Sequence, residues 1–135
     1  MKTIVVGVDG SDDARSATAW VAQLARQLDA TVVAVHAVGL LEHQRSDPNN
    51  RRLQGQLEDW TCALDDLPGS RVRRQLLPGT PISAILQAVQ AEKADLVAVG
   101  TRGVGARTGV LLGSTSLQLA EQCPCLLLII PRAKT

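Results

Sequence analysis

The chain has 135 residues, a net charge of +1, and 45% hydrophobic against 20% charged residues, proportions that suit one globular domain over 1–135 with a core of its own. Its 14 Lys and Arg are scattered rather than gathered in a stripe, so neither nucleic acid nor an anionic membrane surface is an expected partner. With two tryptophans and no Phe or Tyr, the chain lacks the stacking platforms that single-stranded nucleic acid needs. Val, Leu, Ile and Ala must build the core, as in a parallel sheet buried on both faces.

Thr3 to Val8 is a β-branched run stopped by Asp9-Gly10-Ser11, which is turn and helix-cap chemistry together. Ser11 can cap a helix with Asp12 and Asp13 in its first turn and Ala17, Val21, Leu24, Ala25 and Leu28 as its buried stripe. Thr31 to Val38 reads as the second strand, and the polar stretch from Gly39 to Asn50 as the least structured and most mobile segment. Leu53, Leu57, Trp60, Leu64 and Leu67 then mark an amphipathic helix closed by Pro68-Gly69. Arg71 to Leu77 is half polar, an edge strand whose arginines protect the edge rather than form a binding patch. Pro78-Gly79-Thr80-Pro81 supplies a turn, a cap and a first-turn proline for a helix with Ile82, Ile85, Leu86 and Val89 inward.

Ala94 to Val99 is the fourth strand, Ser114 to Glu121 a helix, and Pro124 to Pro131 a strand bracketed by prolines. Strands alternating with helices predict a single open five-stranded parallel α/β sheet with helices on both faces. Right-handed crossovers put Asp9, the end of the second strand and the segment after Val99 on the same sheet edge, where such sheets bind ligands.

That last segment, Gly100 to Ser116, is the one the chain is organised around. Its spacing is Gly100-x2-Gly103-x9-Gly113-Ser114, and backbone N–H groups freed at a strand end, together with the helix start at Ser114, Thr115 and Ser116, suit an anion. It is neither a Walker A loop, for want of the lysine, nor a dinucleotide fingerprint, for want of the spacing. The longest apolar run, Leu126 to Ile130, is far too short to cross a membrane. With no leader-like segment before the first strand, a cytoplasmic location is expected. Cys62, Cys123 and Cys125 lack zinc or disulfide-framework spacing and read as inert thiols, with Cys125 turned into the core and Cys62 near a helix stripe.

Taken together, Ile4 to Ser11, His36, Gly79-Thr80-Pro81, Ala94 to Gly103 and the complete glycine pattern resemble the universal stress protein family, over nearly the whole chain and in its ATP-binding branch. The resemblance implies a Rossmann-like, adenine nucleotide alpha hydrolase-like sheet in the order 3-2-1-4-5 and a homodimer joined through the last strand, Leu126 to Ile130. It also implies ATP as ligand, with AMP and cyclic AMP as alternatives and Mg²⁺ accompanying the phosphates. Gly7, Val8 and Asp9 would lie beside ribose and adenine, with the backbone of Ala37 at the adenine edge. Val99, Gly100 and Gly103 would line ribose and first phosphate, and Gly113, Ser114, Thr115 and Ser116 would hold the phosphates, with Arg102 and Arg107 adding charge. Three functions follow as expectations: a regulatory stress-response nucleotide sensor, a slow ATPase or a protein phosphorylating Ser114 or Ser116, and a dimeric interaction module without nucleotide.

Overall fold

The computed structural model describes residues 2–38, 47–101 and 113–132. In chain order these form β1 (Thr3–Gly7), α1 (Asp12–Leu28), β2 (Thr31–Val38), α2 (Asp47–Trp60), β3 (Val72–Pro78), α3 (Pro81–Glu92), β4 (Leu96–Gly100), α4 (Ser114–Gln122) and β5 (Leu126–Ile130). Two short 3₁₀ turns, Cys62–Asp66 and Gly69–Arg71, join α2 to β3. The five strands are parallel, in the order β3-β2-β1-β4-β5.

Alternation along the strands sends their side chains to two separate cores. Ile4, Val6, Val32, Ala34, Leu96 and Ala98 pack beneath α1 and the carboxyl half of α2. Val5, Val33, Val35, Val97 and Val99 pack beneath α3 and α4. Strands buried on both faces need continuous aliphatic runs, which is why aromatic residues can be dispensed with. The helix ends follow their caps: the Ser11 hydroxyl accepts the Ala14 N–H at 3.1 Å and the Thr80 hydroxyl accepts the Ser83 N–H at 3.3 Å. Asp29 and Lys93 close α1 and α3 in the left-handed conformation, each with its N–H returned to the helix. At the amino ends of the strands the Asp95 carboxylate accepts the N–H groups of Lys2 and Thr3 at 2.9 and 3.1 Å. Those two bonds hold its carboxyl below the usual carboxylate range.

Several local expectations are revised, among them that of Leu28, expected in the buried stripe of α1 and 41% exposed in the last turn of that helix. α2 begins at Asp47, inside the stretch expected to be irregular, while residues 39–46 of that stretch lie outside the described residues. The same helix does not run on to Leu67. The Thr61 hydroxyl donates to the Leu57 carbonyl at 2.6 Å, and the Thr61 N–H is shared between Leu57 and Glu58, which tightens the chain into a 3₁₀ turn that still buries Leu64 and Leu67. The β3 arginines are structural fasteners: Arg74 binds the Thr61 hydroxyl at 2.7 Å and Asp65 at 2.9 Å, Arg73 pairs with Glu92, and Arg71 reaches the Asp29 carbonyl. Cys62 is exposed on the first 3₁₀ turn and Cys125 only half-buried. Among the described residues no helix is long and apolar enough to cross a membrane.

Candidate functional site

The sheet has a notch at its carboxyl edge because its central strand is the first to stop. Pairing of β1 with β2 ends at Gly7 opposite Val35, and with β4 at Val6 opposite Ala98. The flanking pairs run further, β2 with β3 to Val38 opposite Pro78, and β4 with β5 to Gly100 opposite Ile130. The notch therefore lies where the winding reverses between β1 and β4, the place where open α/β sheets accept ligands.

On the β2 side the wall is backbone. The last rung is the Val8 N–H bonded to the Val35 carbonyl at 2.9 Å, so Val35 faces β1. Two residues on, Ala37 must turn its own N–H and C=O the same way, toward the notch. In a continued ladder the Val8 carbonyl would accept from Ala37. That carbonyl is instead bonded to His36 Nδ1 at 2.7 Å. A carbonyl only accepts, so Nδ1 carries the proton, and the pairing of β1 with β2 stops at that point.

Trp60 completes this corner. Its ring meets the His36 imidazole edge to face at a centroid distance of 5.1 Å. It also lies where a Cβ on Gly10 would come within 2.8 Å of it, and Gly10 has φ +83°. Gly10 is thus required twice, by its left-handed backbone and by the indole over it. The Asp9 carboxylate accepts the Ser11 N–H at 3.0 Å, which folds the turn back over the end of β1.

The β4 side is built by α4. The Gly113 N–H donates to the Thr101 carbonyl at 2.8 Å, and the Ser116 hydroxyl donates to the carbonyls of Gly100 at 2.8 Å and Thr101 at 3.2 Å. The start of α4 is thereby held against the end of β4. Gly113 is its N-cap with φ −74° and ψ 167°, a conformation open to any residue, and it offers no side-chain cap. α1 and α3 carry a serine and a threonine at this position.

The structure brings Gly7, Val8, Asp9, Ala37, Val99, Gly100, Gly113, Ser114, Thr115 and Ser116 to this one sheet edge, while Arg102, Gly103 and Arg107 lie outside the described residues. Several have different duties from those expected. The Val8 side chain is buried in the core under α1, and its N–H and C=O are both bonded. Val99 is buried under α3 and α4. Ser116 is 3% exposed and gives its single hydroxyl proton to the two carbonyls, so its side chain neither donates to a phosphate nor is poised to attack one, whereas Ser114 is exposed. Gly100 turns the place of its missing Cβ toward α1, 2.6 Å from the Asp13 Cβ and 2.9 Å from the Ala14 nitrogen. Its smallness serves helix packing. His36 and Trp60 were legible only as a strand-end histidine and a helix-stripe residue. Their pairing needed the sheet register and the course of α2.

The family model described as "Universal stress protein family" matches residues 1–131. A universal stress protein of Thermus aquaticus is 37% identical, the alignment covering 96% of this chain and 98% of the relative. A universal stress protein solved in complex with cAMP superposes with a TM-score of 0.77 at 26% identity, covering 98% of each chain. The crystal structure of a universal stress protein of Mycobacterium tuberculosis has a TM-score of 0.62 at 29% identity, covering 99% of this chain and 96% of the other.

The packing at Gly100 gives a direct expectation for stability. A methyl group there meets α1 backbone, which cannot step aside, so Gly100→Ala should cost about 1–3 kcal/mol in chemical denaturation. At Gly7 the added Cβ would meet chiefly the Ile85 Cδ1 at 2.7 Å, the movable end of a side chain, so Gly7→Ala should cost less. Equal stabilities for Gly100→Ala and the parent chain would contradict the packing described.

Proposed function

This chain belongs to the universal stress protein family, and from that premise we propose that it binds an adenine nucleotide, ATP with Mg²⁺, in the notch above β1 and acts as a homodimeric stress-response sensor. The observation that carries the reading is the meeting, in one notch, of the outward-facing Ala37 backbone pair and the α4 amino terminus with its glycine cap. Adenine offers a ring nitrogen acceptor beside an exocyclic amine donor. An adjacent backbone N–H and C=O match that donor–acceptor pair. At the opposite wall a glycine cap lets phosphate approach the first-turn N–H groups of α4 more closely than Ser or Thr would, and the helix dipole favours the negative charge.

The related structure in complex with cAMP supports an adenine nucleotide as the class of ligand. The phosphates distinguish ATP from AMP and cyclic AMP, and the Gly100-to-Ser116 pattern favours the longer chain. Mg²⁺ would travel with the phosphate oxygens. Occupancy would bridge β1, β2, β4 and α4, so ATP favours whichever arrangement of these ends binds it better, and the level of nucleotide becomes a structural signal. Thermal unfolding with and without Mg²⁺-ATP tests this. At ligand about 100 times its dissociation constant the stabilisation should be about 2.7 kcal/mol. ITP, whose base inverts the donor and acceptor presented to Ala37, should bind at least ~10-fold more weakly, about 1.4 kcal/mol. No shift with any adenine nucleotide would remove the sensor reading, and equal shifts with ATP and ITP would remove Ala37 from the site.

The homodimer is proposed through β5. Among the described residues this strand pairs with β4 on one side only; it contains no charged residue and leaves Leu126 61% and Leu128 40% exposed. An apolar edge without charge or bulge is a template for another chain. Sedimentation should give twice the chain mass at micromolar concentration, and Leu128→Lys should give monomers. A monomeric parent chain would refute the interface.

A further inference from the structure

At the edge of the sheet opposite the notch, α4 ends and β5 begins within Cys123-Pro124-Cys125. Cys123 caps α4, its N–H bonded to the Leu119 carbonyl at 2.8 Å. The two sulfurs lie 3.7 Å apart, in contact, and both side chains are half-buried against the core under α3 and α4. From this geometry we propose that Cys123 and Cys125 form a peroxide-oxidisable dithiol that closes to an intrachain disulfide.

The two thiols are not equivalent. Burial first, then the hydrogen bond with Cys123, push the Cys125 thiol up to about 11. With its proton held, Cys125 is the poorer nucleophile of the pair, and Cys123 takes the first step. The Cys123 thiolate attacks one peroxide oxygen. The S–O bond forms, the O–O bond breaks, and the departing hydroxide takes up a proton as water. The Cys125 sulfur then attacks the Cys123 sulfenic acid. The S–S bond forms, the S–O bond breaks, and the hydroxide leaves as water with the Cys125 proton. In sum, two thiols and one hydrogen peroxide become one disulfide and two waters.

Closing the contact to a bond of about 2.0 Å needs a relative movement of about 1.7 Å, within reach of side-chain rotation at two half-buried residues. A ring enclosing only Pro124 removes little chain entropy from the unfolded state, so the disulfide adds little stability and a thiol reductant can reopen it. Cys62 stands apart, on the 3₁₀ turn that packs with α1 on the other face of the sheet. It is exposed and can cross-link chains, so it must be removed from the test. The site uses nothing in the notch and does not depend on nucleotide binding.

The test is intact-mass and free-thiol analysis of the folded Cys62→Ser chain under hydrogen peroxide. The expected result is loss of both thiols and of the mass of two hydrogens per chain, with no link between chains, reversed by dithiothreitol. In the Cys62→Ser, Cys125→Ser chain the reaction should stop at one added oxygen on Cys123, which dimedone captures. Sedimentation and thermal unfolding confirm that both variants remain folded. Retention of both thiols, oxygen adducts without the hydrogen loss, or disulfides only between chains would each overturn the proposal.

Discussion

Three hydrogen bonds from the first turn of α4, given by the Gly113 N–H and the Ser116 hydroxyl to the carbonyls of Gly100 and Thr101, hold the helix start against the strand end. They seat the amino terminus of α4 on the end of β4, while Leu119 buries the body of the helix against the sheet. A buried hydroxyl with two carbonyl partners is a costly group to disturb: without it the Gly100 carbonyl loses this donor in a water-poor place, while the Thr101 carbonyl keeps the Gly113 N–H. The Thr101 N–H is bonded in turn to the Ile130 carbonyl at 3.0 Å. Edge strand, β4 and α4 are thereby tied at one point. Gly100 closes the same junction from the other face, where the first turn of α1 occupies the space that a side chain would need.

The opposite wall rests on a different device. A strand that stops early exposes unpaired backbone on its neighbours, and buried unpaired backbone is expensive. Here the exposure is shared out. His36 satisfies the Val8 carbonyl, Trp60 covers the turn at Gly10, and the Ala37 pair is left facing the notch. A regular ladder one rung longer would bury that pair against β1.

Much of this could be read from residues alone. Aliphatic and β-branched runs marked the strands, the stripes of α1 and α3 were legible apart from Leu28, which lies exposed at the end of α1, and Ser11 and Thr80 announced their helices. The order of the strands came from family resemblance, because periodicity shows that strands are parallel without showing which neighbours which. Glycine and serine in the nucleotide pattern were harder to interpret. Gly100 and Ser116 look like ligand groups in one dimension, yet their partners are Asp13, Ala14 and two backbone carbonyls. The switch from α-helix to 3₁₀ turn at Thr61 was hidden for a related reason: its side chain bonds the preceding turn and Arg74, and the second of these belongs to another element. The cysteine pair was passed over because Cys-x-Cys matches neither zinc nor framework spacing, whereas the sulfur contact arises from how α4 turns into β5.

Amide chemical-shift mapping of the labelled chain, titrated with Mg²⁺-ATP, tests nucleotide binding at the notch most directly. Binding as proposed requires the largest changes at Ala37 and at Ser114 to Ser116, on the two walls, with the α4–β5 turn at Cys123 little affected. Saturable binding whose changes fall elsewhere, or no change at millimolar nucleotide, would contradict it.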